Sequence, residues 1–205
     1  MSTLARIYCA TTNPGKLREF QLGGLQAGFD VQSLPDLRNL PVPDETDDTY
    51  TGNATIKALY YSRHAPEPVF VDDSGLAVDA FGGAPGVWSA RYAGPDASDL
   101  SNNSLVLERM QGQANRAARF ISIVALARAG ELLETFEGAV EGELLTEPRG
   151  AGGFGYDPLF FYPPFGCTLA EATAEQKLTV SHRGQALAKL FAYLVLLRRR
   201  ESFQR

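Results

Sequence analysis

Apolar and polar positions along this chain change period several times, and each change marks an element. Residues 4–10 form a short apolar run that predicts a buried strand. Residues 11–15, with Pro14 and Gly15, predict a turn, and residues 16–26 place Leu17, Phe20 and Leu25 at helical spacing. The first unit is therefore strand, loop, helix. Residues 34–49 carry Pro35, Pro41 and Pro43 ahead of Asp44, Glu45, Asp47 and Asp48, which predicts an irregular acidic loop. Residues 53–64 return to helical spacing through Ala54, Ala58 and Tyr61 and end before Pro66 and Pro68. Residues 69–71 then read as a strand running straight into Asp72, Asp73, Ser74 and Gly75.

The second half is built from longer apolar stretches. Residues 81–94 are glycine-rich and hold the single tryptophan, Trp88, which suggests a backbone shaped for close approach. Ser98 can cap a helix reaching about Met110, with Gly112 as its stop. Residues 119–127 and 132–140 favour adjacent strands joined near Gly130. Residues 150–157 form a second glycine-rich loop. Ala186, Leu187, Leu190, Phe191, Leu194 and Leu197 mark an amphipathic final helix, and Arg198, Arg199 and Arg200 suit its C-terminal end.

Composition narrows this picture. A chain of 205 residues, 44% hydrophobic, can bury a substantial core and fits one compact domain or two lobes sharing a sheet, with one folding unit the default expectation. With 19 basic against 24 acidic residues it lacks the positive field of a non-specific nucleic-acid binder. Two isolated cysteines, Cys9 and Cys167, give neither a disulfide framework nor zinc-ligand spacing and suit a reducing compartment. The first strand starts without the basic and apolar regions of a secretory signal, and the longest apolar run, residues 190–197, falls far short of the roughly 20 residues of a membrane helix. A soluble cytoplasmic protein with no membrane or nucleic-acid partner is expected.

Several segments could carry chemistry. In Thr11-Thr12-Asn13-Pro14-Gly15-Lys16, hydroxyls, backbone N–H groups and an ammonium can converge where a helix dipole favours an anion. The segment is not a Walker A loop, since Leu17 follows the lysine, and it fits an ordinary turn with a solvated lysine as well. Asp72 and Asp73 are placed at a strand's C-terminal end, with one expected to face a ligand and the other to anchor the turn. A carboxylate there could hold Mg²⁺, Glu45 could supply a second, and a plain aspartate-serine-glycine turn is the competing reading. Gly150, Gly152 and Gly155 have dinucleotide-fingerprint spacing, but Pro158 and the lack of a following helix exclude that fold. Phe154-Gly155-Tyr156-Asp157 offers a ring for stacking a base and a carboxylate for a ribose or base edge, or simply a packed loop. Ser181-His182-Arg183 and nearby Lys177 add donors suited to a purine carbonyl. The two histidines support no catalytic triad.

Taken together, four motifs resemble the inosine triphosphate pyrophosphatase family, the dITP/XTP or non-standard purine NTP pyrophosphatases. They are residues 10–16 (ATTNPGK), the block from Asp72-Asp73-Ser74-Gly75-Leu76 through residues 82–86 (GGAPG) to 89–94 (SARYAG), residues 153–158 (GFGYDP), and Ser181-His182-Arg183-Gly184. Their order and spacing match over essentially the whole chain. The resemblance implies an α/β fold of two lobes on a long central mixed sheet flanked by helices, a nucleotide cleft between the lobes, and a homodimer. It implies Mg²⁺-dependent hydrolysis of ITP, dITP and XTP to the monophosphate and pyrophosphate, cleansing the nucleotide pool. Thr11, Thr12, Asn13, Pro14, Gly15 and Lys16 would grip the triphosphate, Asp73 would be catalytic and a metal ligand with Glu45, and Ser74 would touch substrate. Phe154, Gly155, Tyr156, Asp157, Lys177, His182 and Arg183 would form the nucleotide pocket, and Lys57 is a further contact to phosphate or metal. Two departures stand out. Many members have glutamate directly before the asparagine-alanine of the second helix, where this chain has Gly52, and glycine-x-threonine where it has Asp47-Asp48-Thr49.

Overall fold

The computed structural model describes residues 4–203, with side chains up to Arg199. Seven strands form one mixed sheet in the order β2-β1-β3-β4-β5-β6-β7. The chain divides into two compact units. The first comprises the chain up to Asp73, Ile123–Gly138 and the chain from Arg183 on, and the second comprises Ser74–Ser122 and Ala139–His182. Strands β3 (Val69–Val78), β4 (Ala117–Arg128) and β5 (Glu131–Leu144) contribute residues to both.

In the first unit, β1 (Ala5–Cys9) lies parallel to both β2 (Phe29–Ser33) and the start of β3, with Ala5 opposite Phe29 and Tyr8 opposite Val69. Helix α1 (Pro14–Ala27) links β1 to β2. It begins where Asn13 caps it and Pro14 supplies a pre-set φ, and it stops at Gly28, whose φ of 81° sends the chain off the helix. Its buried face is Gly15, Phe20, Gly23 and Gly24, while Leu25 is 65% exposed. The apolar stripe expected through Leu25 is therefore wrong in detail. Helix and strand approach so closely that a Cβ on Gly24 would stand 2.4 Å from Val31 Cγ2, and small residues rather than leucine make the contact. Phe20 meets Phe70 edge to face, with ring centres 5.0 Å apart. Helix α2 (Tyr50–Tyr61) starts three residues earlier than its spacing suggested because Thr49 Oγ1 accepts from the Gly52 N–H. Its Ala54, Ala58 and Tyr61 pack on Tyr8, Val69, Val71, Ile123 and Ala125. Helix α5 (His182–Phe203) begins four residues before the expected Ala186, and Arg198 and Arg199 fall in its last turns. The side chain of Arg200 lies outside the described residues.

The second unit packs Leu76, Val78, Phe120, Val140, Leu159, Phe160 and Leu169 together with Val106 of α3 (Asp99–Arg109). Ser98 and Ser101 cap that helix reciprocally. Strand β6 (Phe160–Tyr162) runs antiparallel to β5 and to β7 (Cys167–Thr168), and α4 (Ala174–Val180) follows. Pattern reading missed β2, β6, β7 and α4, which at five, three, two and seven residues repeat their period too few times to stand out. It also ended β3 too soon. Ser74 and Gly75 stay extended and Leu76 N–H donates to Ser89 Oγ at 2.8 Å, so the strand continues to Val78. Asp72 and Asp73 lie mid-strand, not at its C-terminal end as expected. Among the described residues no helix is long and apolar enough to cross a membrane.

Candidate active site

The functional residues of the first unit gather around the loop after β1 and the middle of β3. Asn13 Oδ1 accepts from the N–H groups of Gly15 (2.8 Å) and Lys16 (3.1 Å), and its carbonyl accepts from Leu17 N–H. Pro14 has no N–H to give. The first-turn N–H groups of α1 are thus engaged within the chain, contrary to the expectation that they serve an anion. Around the same turn stand the Thr11 hydroxyl, which accepts from Asn13 N–H at 3.2 Å, the Thr12 hydroxyl, the Asn13 amide donors and the Lys16 ammonium, within the positive end of the helix field.

Adjacent residues on a strand face opposite ways, and Asp72 and Asp73 divide accordingly. The Asp72 side chain is fully buried and its Oδ2 meets Lys16 Nζ at 2.7 Å and Arg183 Nε at 3.4 Å. Arg183 Nη1 also reaches Glu19 Oε2 at 2.5 Å. Asp72 is thus the anchoring carboxylate, tying the β1–α1 turn to the start of α5.

Asp73 meets Lys57 Nζ at 2.5 Å, and the same ammonium meets Glu45 Oε1 at 2.7 Å. Two carboxylates from a strand and a loop therefore converge on one cation from α2. Burial pushes the Asp73 carboxyl above its ordinary range, Lys57 and Lys16 pull it back in part, and Glu45 adds to the rise. For Lys57 burial disfavours the ammonium, but Asp73 and Glu45 outweigh it and the lysine is held above its usual value. The side chains of Asp73 and Glu45 remain 12% and 23% exposed, so solvent or a ligand reaches both. No third His, Cys, Asp or Glu joins them in a metal-sized group among the described residues.

The second unit holds a separate cluster. Gly153, with φ of 68°, turns the chain so that Asp157 Oδ2 accepts from Phe154 N–H at 2.8 Å and from Lys177 Nζ. A Cβ on Gly153 would collide with that oxygen at 2.1 Å, so glycine is required. Lys177 Nζ also lies 4.7 Å from the Phe154 ring centre. Asp99 Oδ2 accepts from Gly155 N–H, Asn103 Nδ2 donates to Gly155 O, and Tyr156 Oη donates to Ser89 O. Asp157, Lys177 and Tyr156 are buried framework beneath a half-buried Phe154. His182 is buried and stacks on Phe120 with ring centres 4.8 Å apart.

Of the residues singled out from sequence, Lys16, Asp73 and Glu45 join the first cluster, and Phe154, Gly155, Tyr156, Asp157 and Lys177 form the second. Arg183 belongs with Asp72 and Glu19. Ser74, half-buried, is the neighbour of Asp73 on β3. Lys57, lightly weighed from sequence, is the hub of the first cluster, and its position on the same face of α2 as Asn53 was the available signal. Glu19 was missed, because one glutamate on a helix carries no mark of its partner.

The profile of the Ham1 family matches residues 7–193. The chain belongs to the Ham1 family. It is 47% identical over 191 residues to the dITP/XTP pyrophosphatase of Exiguobacterium sp., covering 93% of this chain and 97% of that protein. It is 46% identical over 187 residues to the dITP/XTP pyrophosphatase of Thermus thermophilus, covering 90% and 89%. Among solved structures, a HAM1 protein from Coxiella burnetii matches with a TM-score of 0.82 at 36% identity, over 94% of this chain and 99% of that one. The nucleoside-triphosphatase / dITP/XTP pyrophosphatase of Mycobacterium abscessus matches with a TM-score of 0.69 at 40% identity, over 90% and 98%. The α/β fold and the family implied by the four motifs are those of this Ham1 protein.

Proposed function

We propose that this Ham1 protein hydrolyses non-canonical purine nucleoside triphosphates, dITP, XTP and ITP, to the monophosphate and pyrophosphate. The observation that carries the reading is the pairing of Asp73 and Glu45 on Lys57 beside the Lys16–Asp72 pair, an alternation of cations and carboxylates suited to a polyphosphate and a water. The relatives named dITP/XTP pyrophosphatase support the substrate class.

In this reading Lys16 and Lys57 offset the charge of the β and γ phosphates, and Thr11, Thr12 and Asn13 donate to phosphate oxygens. Asp73, made more basic by burial, orients a water and takes its proton as the water oxygen bonds to the α phosphorus. The bond from that phosphorus to the bridging oxygen breaks and pyrophosphate leaves. A positioned base of this kind contributes about 10²–10⁴ in rate. Two partly exposed carboxylates are an all-oxygen set of the size Mg²⁺ uses alongside substrate phosphates and waters, so Glu45 and Asp73 would hold it. The metal would polarise phosphate oxygens and neutralise charge on the leaving group.

Phe154 stacks the base in this reading, with Gly155 and Tyr156 shaping its loop, Asp157 fixing Lys177 beneath it, and Ser74 touching substrate. Lys177 and His182 present donors to a 6-oxo group. An adenine 6-amino group would set donor against donor, and such a mismatch discriminates strongly. Arg183 holds Asp72 and, through it, Lys16. The finer points of the reading are a cytoplasmic homodimer acting on free nucleotides, with no nucleic-acid or membrane partner. Free Cys9 and Cys167 suit that compartment.

The test is pyrophosphate release from ITP, XTP, GTP and ATP with Mg²⁺ and with chelator. Metal-dependent release from ITP and XTP well above ATP is the expected result. Release of single phosphate, or equal rates with ATP, would overturn the reading.

A further inference from the structure

The acidic loop and the first turn of α2 meet at one point in space. Gly52 sits in the first turn of α2, and a Cβ built there would stand 2.0 Å from Asp47 Cγ and 2.2 Å from Asp47 Oδ2. The Asp47 carboxylate therefore occupies the room a side chain at position 52 would take. Its Oδ1 accepts from Thr49 N–H at 2.8 Å and Thr49 Oγ1 at 2.6 Å, and Thr49 Oγ1 accepts in turn from Gly52 N–H at 3.0 Å. The buried Asn53 amide grips the backbone of the same residue twice, donating to Asp47 O at 2.9 Å and accepting from Asp47 N–H at 3.1 Å.

This clamp lies two residues from Glu45, and Lys57, which holds Glu45, lies one turn beyond Asn53. Two residues of extended chain advance about 6.6 Å and four residues of helix about 6 Å, so the contacts 47 to 53 and 45 to 57 are in register along one face of α2. We infer that Asp47 is a positioning residue for the Glu45–Lys57–Asp73 cluster, that it acts by fixing the acidic loop along α2, and that Gly52 is required to admit its carboxylate. This inference rests on the function proposed above only for the reaction used to read it.

The experiment compares Asp47→Gly, Asp47→Asn, Gly52→Ala and the pair Asp47→Gly with Gly52→Ala, reading kcat, KM for dITP, Mg²⁺ half-saturation, and Mn²⁺ binding to the nucleotide-free protein by electron paramagnetic resonance. Asp47→Gly should keep its circular-dichroism melt, lose tenfold or more in kcat with KM changed less than threefold, and weaken Mn²⁺ binding at least fivefold. Asp47→Asn keeps the Thr49 acceptor and should stay within threefold of the parent protein, which separates positioning from charge. Gly52→Ala should displace the loop and match Asp47→Gly, and the pair should be no worse than either single change. Losses that multiply in the pair, or an Asp47→Gly protein with parental kcat and Mn²⁺ binding, would overturn the inference. Should the parent protein fail to turn over dITP, the Mn²⁺ measurements still decide between these outcomes, so the two readings fail separately.

Discussion

Replacing Lys57 with methionine removes the one cation shared by Asp73 and Glu45 while keeping most of the side chain's volume. The two carboxylates would then face each other across the site with only Lys16 nearby. Removing one partner of a buried ion pair costs about 3–5 kcal/mol. The three side chains are 12–23% exposed, so some of the uncovered charge is hydrated, and about 2–4 kcal/mol is expected here. For a chain of this size each kcal/mol moves the melting temperature by about 2–4 °C, which predicts a fall of about 4–16 °C at pH 8.

The pH dependence supplies the sharper test. Lys57 is held above its ordinary value, so its contribution in the parent protein is complete below the usual lysine range and is lost only as pH rises through the raised value. Asp73 is already pushed up by burial, and removing Lys57 takes away the largest opposing influence. A carboxylate raised in the folded state binds its proton more tightly than in the unfolded chain. The stability it allows is present at low pH and lost as pH rises through the folded value. The deficit of Lys57→Met should therefore be widest at pH 8 and shrink steadily toward pH 4.5. Melting curves followed by circular dichroism across that range measure it. A deficit below about 1 °C at pH 8, or one that stays constant on acidification, would refute the assignment of Lys57 as the shared counter-charge.

Asp73→Asn should lower kcat by about 10³ while the protein still melts cooperatively, and turnover of dITP within tenfold of the parent would remove Asp73 as the base. Gly24→Ala gains helix propensity, but its Cβ meets Val31 Cγ2 at 2.4 Å, so urea titration should show a net loss of about 1–3 kcal/mol; unchanged stability would mean β2 yields freely. Burial pushes the Cys9 thiol up to about 12, whereas Cys167 is only half-buried, so a disulfide-exchange reagent at pH 8 should label Cys167 in the native protein and both thiols after unfolding. Rapid native labelling of Cys9 would contradict its place in β1.

What the sequence disclosed depended on how local the cause was. The cap at Ser98 is set by neighbours within three residues and is read directly, while the equally local cap at Asn13 is passed over because Pro14 and Gly15 look like a turn and the helix is expected from residue 16. The contact of α1 with β2 could not be read locally. It depends on Gly24 lying against Val31 across a turn, and a glycine in a helix adds nothing to an apolar period, so Leu25 drew the attention instead. The end of β3 was misjudged for a related reason. Ser74-Gly75 carries turn chemistry by composition, yet the Ser89 hydroxyl, far along the chain, accepts the Leu76 N–H and keeps the strand extended. Short partners such as β6 and β7 exist because β5 gives them an edge to pair with, and no property of three residues alone announces that.

The adjacent pair Asp72-Asp73 shows how far a local rule can carry a functional argument. Strand geometry requires the two to face opposite ways, and that alone predicts different jobs for chemically identical side chains. It does not say which job belongs to which. That choice is made by cations distant in sequence: Arg183 and Lys16 on one side pair with Asp72 in a fully buried position, where neither water nor a ligand reaches it. On the other side Lys57 and Glu45 leave Asp73 partly open to solvent with its carboxyl raised by burial. A motif can thus name the pair, but the division between anchor and base is a property of the folded neighbourhood. Exchanging the two environments, not the two aspartates, is what would exchange their roles.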